Sequence, residues 1–89
     1  LDPEELVYRR DRQELYYELG YYTEMKNEAT YCIDNDVSGG DYLDYYNRAI
    51  AKIYLEESPC SDFLASYRHS DVSEVITESI EAEYYDYCD

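Results

Sequence analysis

Three groups of residues in this 89-residue chain are of a kind that could do chemistry. The first is Asp34-Asn35-Asp36-Val37-Ser38-Gly39. Asp34, Asp36 and Ser38 alternate ahead of a glycine, as oxygen ligands do at the start of an EF-hand calcium loop. The twelfth position of such a loop needs a bidentate glutamate, and here it is Tyr45, with Asp44 one residue early. The eighth is Asp41, where an apolar residue is usual. Calcium held by Asp34, Asp36 and Ser38 alone would be bound weakly, and the same residue types build turns without metal. The second group centres on His69, the single histidine, between Arg68 and Ser70. A nucleophile and base would need Cys60 or a serine folded against it. By itself it reads as a solvent-exposed histidine between helices.

The third group consists of carboxylates in rows. Asp71, Glu74, Glu78 and Glu81 recur at intervals of three, four and three residues. On a helix they project from one face, about a turn apart. No lysine or arginine follows Arg68. Like charges at i,i+4 cost stability, so such a row points to use by a cationic partner. Glu4, Asp11, Glu14 and Glu18 form a second row. Asp41 and Asp44 fall in a first helical turn, where the dipole favours them, whereas Glu56 and Glu57 fall at a helix end, where it does not. Paired carboxylates are so common that no pair stands out as acid and base. Neither a phosphate-cradling glycine loop nor zinc-ligand spacing occurs. The expectation is a protein that binds, without catalysis, metal or cofactor.

Helices must position these groups. Asp2-Pro3-Glu4-Glu5 reads as a cap, a first-turn proline and first-turn acids. Tyr8, Arg12, Leu15, Leu19, Tyr22, Lys26, Ala29 and Ile33 then keep a 3–4 spacing through Gly20. That unbroken phase predicts one long helix or two nearly collinear ones. Arg9, Arg10 and Arg12 form the only basic cluster, expected to pair with the chain's own acids. Residues 34–40 are a break. A helix over 41–57 follows, with Leu43, Tyr46, Ile50, Ile53 and Tyr54 facing inward. Ser61 is expected to cap a short helix over 62–68 holding Phe63, Leu64 and Tyr67. Asp71 and Glu74 read as a cap and its partner for a last helix. Its apolar side is Val72, Val75, Ile76, Ile80, Tyr84 and Tyr87.

The composition sets the scale. One domain spanning residues 1–89, with a small core, is expected from the length. The net charge is −15, from 22 acidic and 7 basic residues, and Leu, Ile, Val and Phe are only 17 of 89. Those values border on disorder, but 14 tyrosines recur with the apolar positions and can bury rings while their hydroxyls stay polar. The three cysteines, 32, 60 and 88, lack paired-ligand spacing and read as free thiols in a reducing cytoplasm, one disulfide with a spare thiol being the alternative. An acidic surface argues against nucleic acid or an anionic membrane as a direct ligand.

Size, charge, acidic rows and abundant tyrosine together resemble the small acidic inhibitors that phages and mobile elements make against host defence, the nucleic-acid-mimicking anti-CRISPR and antirestriction proteins. The resemblance implies a stoichiometric inhibitor, acting in the bacterial host cytoplasm, that occupies the nucleic-acid-binding surface of a nuclease or CRISPR effector. The residues expected to dock are Glu74, Glu78, Glu81 and Asp71, with Asp41, Asp44, Glu56, Glu57 and Tyr85. The fold expected is all-α, a compact bundle of four to five helices in which the N-terminal segment packs on helices 41–57 and 72–87. A homodimer is compatible with this reading. Two other functions are carried forward: an adaptor binding another protein through a tyrosine-rich face, and a weak calcium module.

Overall fold

The computed structural model describes residues 3–69 and 73–88. Five helices make up the fold: α1 (Pro3–Leu19), α2 (Tyr22–Asn35), α3 (Tyr42–Tyr54), α4 (Cys60–Tyr67) and α5 (Glu74–Cys88). No strand occurs among the described residues. The protein is an all-α bundle.

α1 and α2 are not collinear. Gly20 takes φ +76°, and its N–H and that of Tyr21 donate to the carbonyls of Tyr17 and Tyr16 at 3.1 and 2.9 Å. This is a Schellman C-cap, which reverses the chain because glycine enters the left-handed region without a Cβ clash. An apolar phase that continues across Gly20 shows only that both helices have an inward side. That side of α1 also differs from the expected one: Leu6 and Gln13 are buried, whereas Tyr8, Leu15 and Leu19 are exposed.

Each helix packs chiefly on its neighbours in sequence, and α1 also touches α3. The helices therefore zigzag into a slab of 37 × 28 × 18 Å. α5 packs on α4 rather than on the N-terminal segment, and reaches α3 through the Tyr46 hydroxyl, which donates to Glu83 Oε1 at 3.1 Å. The apolar core is Ala49, Phe63 and Ile80, walled by Tyr42, Tyr46, Ile50, Ile53, Tyr67 and Tyr84. Tyrosine rings thus replace missing aliphatic volume, each with its hydroxyl left for a polar partner. Leu43 and Tyr54 of α3 are exposed, as are Val75 (78%), Ile76 and Tyr87 of α5, so Ile80 is the buried residue of that helix.

A second interior, between α1, α2 and α3, sets buried polar side chains beside Met25, Ala29 and Cys32 of α2. Asp44 is fully buried and accepts from Arg10 Nη2 (2.8 Å), Gln13 Nε2 (2.9 Å) and the Asp41 N–H (3.0 Å). Glu28, also buried, is shared by Arg9 and Arg12. Asp62 takes Arg48 Nη2 and Lys52 Nζ, each at 2.8 Å. Buried carboxylates need such partners because desolvating an unpaired charge is prohibitive. The basic cluster is consumed internally, as expected.

The helix starts differ in detail. Asp41 and Asp44 make a capping box on α3. α4 begins at Cys60, ahead of the expected Ser61 cap. Ser73 starts α5, its Oγ accepting from the Ile76 N–H at 3.3 Å; Asp2, Asp71 and Val72 lie outside the described residues. Cys60 and Cys88 form a disulfide, their Cα atoms 5.7 Å apart, which ties α4 to the end of α5. This replaces the expected set of free thiols: antiparallel packing of α4 and α5 brings together two residues that are 28 apart in sequence. Cys32 alone is free, and it is buried.

Candidate partner-binding site

The fold sorts the acids into two populations. Six of the seven basic side chains, Arg9, Arg10, Arg12, Lys26, Arg48 and Lys52, form ion pairs with acids of the chain itself. Glu28, Asp44 and Asp62 are buried by those pairs. Asp11, Glu14 and Glu18 on α1, and Glu74 and Glu78 on α5, are exposed and have no ion pair among the described residues. Glu81, on the same row, is half-buried.

The expected docking residues are therefore not one surface. Asp44 is a core residue and cannot meet a partner; its first-turn position fits the dipole, but its burial comes from α1 folding over it. Asp41 is half-buried, and its carboxylate accepts from the Leu43 N–H at 2.9 Å. Glu57 is held by Lys26 Nζ at 2.9 Å. Glu56 is exposed at φ +60°, the position that ends α3 with a Schellman pattern in which glycine is usual, so its backbone carries about 1–2 kcal/mol of strain. Tyr85 is exposed beside Tyr84. Glu74 and Glu78 remain open to solvent.

The turn after α2 is held by the chain's own groups. Asp36 is turned inward, one oxygen on Arg10 Nη2 at 2.8 Å and the other accepting from the Ser38 N–H and hydroxyl at 2.9 and 2.7 Å. The charged partner of Asp36 is Arg10, and no group of three or more metal-ligating side chains assembles among the described residues. His69 is half-buried rather than exposed: its Nε2 lies 2.9 Å from the Gly40 carbonyl, and its ring leans on Tyr45.

The feature that sequence reading missed is concave. A cleft of about 340 Å³ opens between α1 and α3, with Met25 of α2 at its base. Glu14, Tyr17 and Glu18 line one side, and Tyr46, Asn47 and Ile50 the other. Glu14 and Glu18 stand in the second acidic row and flank Tyr17, a pattern visible in the sequence; the facing residues of α3 are not. Tyr46 also lines a shallower groove between α3 and α5, with Tyr42, Leu43, Ile76, Ser79 and Ile80. Its hydroxyl is pushed up in pKa by burial and by Glu83, so it stays a donor to that carboxylate.

Electrostatics make the fold acid-sensitive. Hydrogen bonds from Arg10 and then Ser38 hold the Asp36 carboxyl down at about 2. Asp62 is raised by burial but lowered further by Arg48 and Lys52, with a net decrease. A depressed carboxylate stabilises fully above its unfolded pKa, about 3.9, and loses that contribution as pH falls through the folded value. Repulsion within a chain of net charge −15 acts the other way, easing as exposed acids protonate. Thermal melts by circular dichroism are therefore expected to rise from pH 7 towards about pH 5 and fall steeply between about pH 4 and 2. Continued stabilisation down to pH 3 would show that the Asp36 and Asp62 pairs do not matter.

Fold and site together define a small all-α acidic protein with two outward carboxylate rows and one acid-walled aromatic cleft. Comparison of the chain with protein-family models, curated proteins and solved structures finds no significant match in any of the three. No helix among the described residues is long and apolar enough to cross a membrane.

Proposed function

We propose that this protein is a non-catalytic inhibitor that binds the basic nucleic-acid-gripping surface of a host defence complex, a CRISPR effector or a restriction enzyme, by nucleic-acid mimicry. The observation that supports it is the division of charge: six of the seven basic side chains are taken up in ion pairs within the chain, while Asp11, Glu14 and Glu18 on α1 and Glu74 and Glu78 on α5 are exposed with no ion pair among the described residues. Glu74, Glu78 and Glu81 put one carboxylate on roughly every 5 Å of helix axis. One DNA strand carries a charge about every 3.4 Å. A surface of this kind speeds encounter with an arginine- and lysine-lined channel. The reading puts the protein in the bacterial cytoplasm, where thiols are held reduced; the α1–α3 half, which the disulfide does not touch, retains its acidic row there.

Reversing three charges together, E74K/E78K/E81K, is expected to weaken binding at least about a hundredfold while leaving the melting temperature unchanged or higher, because like-charge repulsion along α5 is removed. The assay is capture from bacterial lysate at low and high salt, with mass spectrometry of what is retained. Recovery of a nucleic-acid enzyme, released by salt and by competing DNA, supports mimicry. Equal capture by the triple variant would remove α5 from the interface. A second reading, the adaptor, draws on Tyr22 and Tyr54, which stack at 4.1 Å with Tyr17 edge-on at 6.2 Å to Tyr54, and with Tyr17 and Tyr54 exposed. It predicts salt-insensitive capture that is lost on Tyr54→Ala.

A further inference from the structure

Arg9 shows one way in which this chain holds an arginine. Arg9 lies over the Tyr31 ring, with Cζ 3.7 Å from its centroid, while its nitrogens bond Glu5 and Glu28. Two carboxylates and an aromatic face thus hold one guanidinium. The cleft between α1 and α3 presents the same groups without an arginine. Glu14 and Glu18 stand on its rim one helical turn apart, Tyr17 and Tyr46 supply rings, and Met25 and Ile50 give an apolar interior. None of its lining residues is basic.

We infer that this cleft is a receptor for a single arginine side chain of a partner protein. The inference rests on the proposed reading, since the partner it requires is a basic surface, and it says where one residue of that surface seats. The guanidinium would donate hydrogen bonds to the carboxylates of Glu14 and Glu18, in the planar geometry that arginine offers and lysine does not. Its methylenes would lie along Ile50 and Met25, as long charged side chains do over apolar surface. Tyr17 and Tyr46 would meet its face, a contact worth more for a cation than for a neutral isostere. The hydrogen bond to Glu83 positions the Tyr46 ring before anything binds. A cleft of about 340 Å³ is adequate for one such side chain and lies at the small end for ligand sites.

The test is a nuclear magnetic resonance titration of the isotope-labelled whole chain with the peptide Gly-Arg-Gly, against the same peptide carrying citrulline, which is nearly isosteric and uncharged. Saturable shifts confined to residues 14–18, 25 and 46–50 are expected with arginine, and affinity at least about tenfold weaker with citrulline. E14Q/E18Q is expected to weaken the arginine peptide by a similar factor with an unchanged melt, since both residues are exposed. E74Q/E78Q is expected to leave it unaltered. Shifts that do not saturate, that spread equally to α5, or that citrulline reproduces would overturn the receptor. The two proposals fail separately. If the peptide does not seat but lysate capture is salt-sensitive and DNA-competed, the cleft is wrong and mimicry stands; if the peptide seats and no basic partner is captured, mimicry is wrong and the cleft stands.

Discussion

Asp44→Ala is expected to lower stability by about 3–5 kcal/mol, the cost of leaving buried partners without their counter-charge. The carboxylate is fully buried and is bonded by Arg10, Gln13 and the Asp41 N–H at once. Its removal leaves the Arg10 guanidinium facing only Asp36, and takes away half of the capping box that starts α3. A domain of this length has a total stability of roughly 4–13 kcal/mol, so the variant is expected to be largely unfolded at the lower end of that range. Urea titration followed by circular dichroism measures the loss. The double variant R10A/D44A distinguishes the causes: a coupling of about 2 kcal/mol or more locates the cost in the pair, whereas additive effects would assign it to capping. A loss for Asp44→Ala below about 1 kcal/mol would mean that this interior does not hold the three helices together.

Opening the Cys60–Cys88 bridge is expected to cost about 3–4 kcal/mol, from the loop-closure entropy released when a 28-residue separation is no longer bridged. The effect should be local before it is global. α5 buries Ile80 and leaves Val75, Ile76, Tyr85 and Tyr87 largely exposed, so apart from the bridge it is held by Ile80, the Tyr84 and Tyr87 ring contacts and the Glu83 hydrogen bond. Hydrogen exchange on the C60S/C88S variant is expected to show α5 amides losing protection while α1–α3 keep theirs. Thiol counting gives an independent check. Burial, with Asp44 adding to it, raises the Cys32 thiol to about 11, so the native oxidised protein is expected to expose no reactive thiol and to release one on unfolding. Two reactive thiols in the native protein, or three on unfolding without reductant, would show that the bridge is absent.

The two effects fall on different halves of the molecule. Asp44 secures the polar interior of α1–α3, which shapes the cleft, and the bridge secures α5, which carries the other acidic row. Binding that survives reduction but is lost with E14Q/E18Q would assign the interface to the α1–α3 side.

Helix content, a break ahead of α3, the first-turn acids and the internal use of Arg9, Arg10 and Arg12 were determined by the sequence alone, although α2 runs on through Asp34 and Asn35 before that break. These depend on local rules: spacing of 3.6 residues, capping chemistry, and an excess of acids close to every base. The solvent-facing row at Glu74 and Glu78 was legible for the same reason. What only the tertiary structure decided is which side of each helix turns inward and which distant residues meet. Tyr8, Leu15 and Leu19 have the right spacing for a core and lie outside, because α1 instead turns Arg10 and Gln13 toward Asp44. Asp44 and Glu74 are alike as acids in a first helical turn, yet one is buried and the other exposed. Gly20 reversed the chain where apolar phase was continuous, and that reversal set α1 against α3. The cleft follows from it: Glu14 and Tyr17 face Tyr46 and Ile50 across about thirty residues of chain, a pairing fixed by packing and not by spacing.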